Sequence, residues 1–107
     1  MKATYSVRPQ NIEEISRGQF YVNMDIKEVS KRGTTLYECE QVRTNGRPQY
    51  GMVVEALIRE KYSVSDELAL HRQKEQKAEA FAEYNTFCEH CKDLARPVFF
   101  PEEEGGE

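Results

Sequence analysis

The chain has 107 residues, of which 38% are hydrophobic and 32% charged, and its mean hydropathy is -0.79. That length fits one domain, and no stretch approaches the roughly 20 consecutive apolar residues a membrane span requires. The formal net charge of -4 is local: four of the 19 acidic side chains, Glu102, Glu103, Glu104 and Glu107, fall at the end, so residues 1–100 carry 15 acidic and 15 basic groups. A neutral body whose basic residues cluster only at Lys31-Arg32 lacks the basic face that nucleic-acid binding uses to displace counterions. The N-terminus has no apolar run behind its lysine, so the expectation is a protein without a secretory signal in a reducing cytoplasm.

Residues 2–8 alternate, with Ala3, Tyr5 and Val7 on one side and Lys2, Thr4, Ser6 and Arg8 on the other, which predicts a half-buried strand ended by Pro9. The two isoleucines of Asn11–Ile15 are three apart, which predicts about one helical turn, closed at Gly18. From Gln19 to Val29 the period returns to two, through Phe20, Val22, Met24 and Ile26. A second β-rich run, Thr34–Arg43, follows the Lys31-Arg32-Gly33 loop, and the pair reads as a hairpin. Asn45-Gly46-Arg47-Pro48 breaks the chain again.

Beyond Pro48 the apolar period lengthens to about 3.6. Met52, Val53, Val54, Ala56, Leu57 and Ile58 predict a helix over residues 49–61. Ser63 or Ser65 can cap the next helix, with Asp66 and Glu67 in its first turn. It carries Leu68, Leu70 and His71 and fades into the polar residues 73–77. In the last helix Phe81, Tyr84, Cys88, Cys91 and Leu94 recur at spacings of three and four, and this stripe is expected to face the core, with the helix ending at Pro97. The expected fold class is α+β: an N-terminal antiparallel sheet of about three strands packed against three C-terminal helices, the last two forming a helical hairpin. Residues 1–96 form the single domain. Residues 97–107 comprise an extended segment, Val98-Phe99-Phe100 between two prolines, and an acidic tail expected to be disordered. The apolar segment either covers the core or offers a surface for self-association.

Candidate chemistry is sparse. Cys88 and Cys91 form a CxxC pair, the local pattern of a zinc site or a redox dithiol, and Cys39 with His71 would be needed to complete a Cys₃His set. Neither lies at finger-like spacing from Cys88. The pair continues the apolar stripe and sits near the C-terminal end of its helix, where the dipole does not lower a thiol pKa, so core packing is the expected role. The remaining histidine, His90, stands beside no nucleophile turn. Glu13-Glu14, Asp66-Glu67 and Glu38/Glu40 read as solvated faces or helix starts rather than acid/base couples. No catalytic, cofactor-binding or metal-binding residue is assigned, and the chain is expected not to be an enzyme.

Three blocks carry a family resemblance: residues 55–63, ending in Lys61-Tyr62-Ser63; residues 66–73, from Asp66-Glu67-Leu68-Ala69 to Arg72-Gln73; and residues 80–92, which include Phe81 and Tyr84-Asn85. Together with the β segment Asn11–Val29 they resemble a group of small phage and prophage proteins over roughly residues 10–96. The chain departs from that pattern at Lys74–Ala78, where such proteins often have an acidic or Pro-containing turn. The resemblance implies a prophage accessory protein of the tail region, acting by protein contact in tail or tail-fibre assembly, with other tail proteins as partners, in the host cytoplasm or in the virion. Exposed tyrosines such as Tyr21 and Tyr50 would suit that role, the alternative being that they simply cover the core. The alternatives are a small regulatory partner of a host protein and a metal-binding or redox protein using Cys88 and Cys91.

Overall fold

A computed structural model describes residues 1–101, and the acidic residues of the tail lie outside them. Four strands, β1 (Lys2–Tyr5), β2 (Ile12–Ser16), β3 (Gln19–Lys31) and β4 (Thr34–Asn45), precede three helices, α1 (Tyr50–Arg59), α2 (Val64–Arg72) and α3 (Ala78–Phe99). The architecture is α+β, with one antiparallel sheet in the order β1-β4-β3-β2.

The sheet is built on the β3–β4 hairpin. Arg32 and Gly33, with φ of 53° and 78°, form its two-residue turn between the paired Lys31 and Thr34. Positive φ at both turn residues matches the twist of the flanking strands, and glycine adopts it without strain. Opposite Cys39, β3 carries two residues, Asp25 and Ile26, because Met24 pairs with Glu40 and Lys27 with Glu38. Asp25 adopts φ 52° at this bulge, a conformation aspartate tolerates better than most side chains.

The expected helical turn at Asn11–Ile15 is instead the edge strand β2, which pairs Ile12 with Val22 and Glu14 with Phe20. The sheet therefore has four strands rather than three. A register shift between Glu14 and Ser16 explains why two isoleucines three apart imitate helical spacing. The β1–β2 connection joins opposite edges of the sheet, so it has to cross β4 and β3. It does so on the face away from the helices, where Asn23 Nδ2 donates to the Gln10 carbonyl at 2.7 Å and Pro9 is buried.

The helices cover the other face. α1 packs over β4 and α3 over β3, joining Val22, Met24 and Val42 to Val53, Val54, Leu57, Ile58, Cys91 and Ala95 in one core. Of the expected α3 stripe, Tyr84 and Cys91 are buried and Cys88 and Leu94 are half-buried against the core. Phe81 is displaced from it: its ring meets His71 of α2 at 5.2 Å, at the α2–α3 contact.

Ser63, not Ser65, caps α2, in a capping box: Ser63 Oγ accepts from the Asp66 amide at 3.0 Å, and Asp66 Oδ2 accepts from the Ser63 amide at 2.9 Å. α3 does not end before Pro97. It continues through the proline to Phe99, and the Phe100 amide donates to the Arg96 carbonyl at 2.7 Å. Tertiary packing overrides the local preference here, because Phe99 and Phe100 meet the Tyr50 ring edge-on at 6.3 and 5.2 Å. Val98 and Phe99, expected to be extended, are thus helical and packed against the core.

Candidate functional site

The cysteines do not converge. Cys39 points from β4 to the face away from the helices, 3.7 Å from Asn23 Oδ1, whereas Cys91 lies in the helix-side core. The sheet itself separates them. His71 is exposed on α2 against the Phe81 and Tyr84 rings. The four side chains that a Cys₃His set would need are therefore dispersed, and among the described residues no group of three or more His, Cys, Asp and Glu side chains is placed to hold a metal ion. Burial, reinforced by the neighbouring Cys88, pushes the Cys91 thiol up to about 11, and burial likewise raises Cys39. Both therefore favour the protonated form over the reactive thiolate.

The paired acids separate into ordinary roles. Glu13 accepts from the Gln10 amide at 2.8 Å and Glu14 from the Gly18 amide at 3.2 Å, so each holds a turn. Glu38 pairs with Lys31 at 3.0 Å and Glu40 with Lys2 at 3.5 Å. Asp66 is the α2 cap, its carboxyl held below the usual range by the Ser63 amide and then the Ser63 hydroxyl. Tyr21 and Tyr50, read either as exposed contact residues or as cover for the core, are half-buried. Tyr50 is committed to the two C-terminal phenylalanines.

Two polar clusters were not legible in the sequence. On the back face, Gln41 Nε2 donates to Asn23 Oδ1 at 2.9 Å and to Tyr5 Oη at 2.5 Å. Asn23 is fully buried and Gln41 nearly so. Every buried side-chain nitrogen and oxygen among the described residues has a partner, so this network locks the 6–11 crossing in place rather than awaiting a ligand. At the junction of the three helices, Arg59 Nη2 donates to Glu67 Oε1 at 2.5 Å, and the Tyr84 hydroxyl donates to the other Glu67 oxygen. The bond from Tyr84, then Arg59, holds the Glu67 carboxyl below the usual range. Burial and Glu67 together hold the Tyr84 hydroxyl protonated well beyond its ordinary value.

The feature that projects from the body is the β3–β4 hairpin. β2 pairs with β3 only over Gln19–Val22, and β1 with β4 only over Tyr37–Glu40. Beyond both limits, from Val29 to Leu36, the hairpin is a two-stranded arm with no neighbouring strand among the described residues. The principal extents are 49 × 35 × 30 Å and the radius of gyration is 16.1 Å, against about 13 Å for a compact chain of this length. On the helix-side face Val29 stands opposite Leu36 in the arm and Lys27 opposite Glu38 at its base, and the Lys31–Glu38 pair bridges arm and base diagonally. Charged side chains along an open edge oppose indiscriminate strand pairing while leaving backbone donors and acceptors available to a matched partner.

No helix among the described residues is long and apolar enough to cross a membrane. No protein-family model, curated protein or solved structure matches the chain.

Proposed function

We propose that the protein is a non-enzymatic interaction module of the phage or prophage type, acting through protein contacts in tail assembly, in the host cytoplasm or on the virion. The observation that carries the contact role is the β3–β4 arm, which extends beyond both flanking strands with its edges open. A two-stranded ribbon contributes little to the stability of its own domain, because it adds no buried layer. Its length is accounted for by what it can reach. The tail assignment rests on the resemblance over roughly residues 10–96. Titratable groups that a catalyst would use are instead occupied: Glu67 by Arg59 and Tyr84, Asp66 by its cap, and Cys91 by the core.

Capture by the full-length protein from an induced lysogen lysate tests the assignment. Recovery of structural proteins encoded in the same tail region is the expected result. Recovery of a host regulator in their place would move the protein to the alternative class, a regulatory partner of a host protein.

A further inference from the structure

α2 is attached to the body in a way the other helices are not. None of its nine residues is buried, and Val64 and Leu68 on its outer side are each 56% exposed. It packs chiefly against α3. Beside the half-buried Ala69 and Leu70, two kinds of specific contact hold it there. The first is Glu67, whose two carboxylate oxygens accept separately from Arg59 at the end of α1 and from Tyr84 on α3. The second is the His71 ring, edge-on to Phe81 and Tyr84 at 5.2 and 5.9 Å. Its N-terminus, meanwhile, is satisfied within the helix by the Ser63–Asp66 capping box, so its first turn does not depend on the body. Short segments flank it on both sides, residues 60–63 and residues 73–77. Arg59 stays engaged without α2, because it also donates to Glu55 at 2.9 Å and to the Tyr62 carbonyl at 2.8 Å.

We infer that α2 is a hinged cover latched by Glu67, which opens as a unit while the sheet, α1 and α3 stay folded, and which uncovers Tyr84 and Phe81 when it does. The physical basis is the contrast in burial. Separating α2 exposes the half-buried Ala69 and Leu70 and part of two aromatic rings and breaks the bonds to one carboxylate, whereas separating α1 or α3 would open the whole core. The outer Val64 and Leu68 do not hold the closed state, because they face away from the body. This inference is independent of the tail assignment, since it concerns the fold alone.

Amide hydrogen exchange of the full-length protein, followed residue by residue by NMR at neutral pH, tests it. The expected result is that Leu68–Arg72 exchange at least about tenfold faster, relative to their intrinsic rates, than Cys88–Ala95 of α3. Glu67→Gln should speed the α2 amides by a further factor of about ten while Val53–Leu57 and Cys88–Ala95 stay within about twofold. If that variant fails to fold, Tyr84→Phe removes a single latch bond while keeping the ring, and should speed α2 selectively by a smaller factor. Common protection across α2 and α3 in the unaltered protein, or equal acceleration of both in the variant that folds, would overturn the inference.

Discussion

Replacing Asn23 by alanine removes the centre of the back-face network. Asn23 is fully buried. Its Oδ1 accepts from Gln41 Nε2 at 2.9 Å, and its Nδ2 donates to the Gln10 carbonyl at 2.7 Å. The variant leaves the Gln10 carbonyl without its side-chain donor under the crossing segment and leaves Gln41 with Tyr5 as its remaining side-chain partner. An unsatisfied buried group costs about 1–3 kcal/mol, and the lost contacts of a small cavity add about 1 kcal/mol. The sum is a loss of about 2–4 kcal/mol, a large share of the 5–15 kcal/mol typical of a whole domain. Equilibrium urea unfolding by circular dichroism should show the midpoint falling with an unchanged slope. Asn23→Leu, which fills the volume but satisfies neither neighbour, should lose a comparable amount. A change below about 0.5 kcal/mol in both variants would refute the reasoning, because it would place Asn23 on a solvated face.

Truncation after Arg96 removes Val98 and Phe99, both half-buried against the core, together with the aromatic contacts to Tyr50. Thermal melts should register a loss of about 2–3 kcal/mol, and an unchanged melt would mean that the last turn of α3 contributes nothing. The depressed Glu67 carboxyl contributes stability that is present above the ordinary carboxylate pKa and is lost as pH falls through its lower folded value. Glu67→Gln should therefore flatten the acid limb of the stability–pH curve below about pH 4.5, and a limb identical to that of the unaltered protein would contradict the bonding described. Elemental analysis of purified protein should find no stoichiometric zinc, and chelator should leave the melt unchanged, since Cys39 and Cys91 lie on opposite faces of the sheet. One zinc per chain would require a different placement of these thiols.

Where an element's character comes from its own periodicity, the sequence is a good guide. Val22 and Met24 at period two and Val53, Val54, Leu57 and Ile58 at helical spacing mark the faces that meet in the core. The Gly33 turn is equally local. The misread elements depend on distant partners. β2 carries Ile12 and Ile15, each 38% exposed, so edge position and a bulge leave no clear alternation to read. Pro97 signals a helix end, and only the meeting of Tyr50 with Phe99 and Phe100, about 50 positions apart in sequence, explains why the helix continues. Asn23 and Gln41 look like solvent-facing residues of a hairpin until the 6–11 segment is known to cross over them. The helix-junction cluster is similar. Glu67 reads correctly as a first-turn acid, but its bonds to Arg59 and Tyr84 arise only when three helices converge. The reach of the arm is also non-local, because it is set by where β1 and β2 stop.

The most direct test of the contact role is a binding titration against a tail protein captured from the lysogen, comparing the full-length protein with a variant in which residues 29–36 are replaced by a two-residue Asn-Gly turn. Glu28 and Tyr37 already pair, so the shortened hairpin closes in register and the core, which lies wholly outside the excised residues, is untouched. Affinity should fall at least about tenfold, or about 1.4 kcal/mol, with the melting temperature within a few degrees of the original. Equal affinity for the captured protein without the arm would contradict the assignment of the β3–β4 hairpin as the contact element.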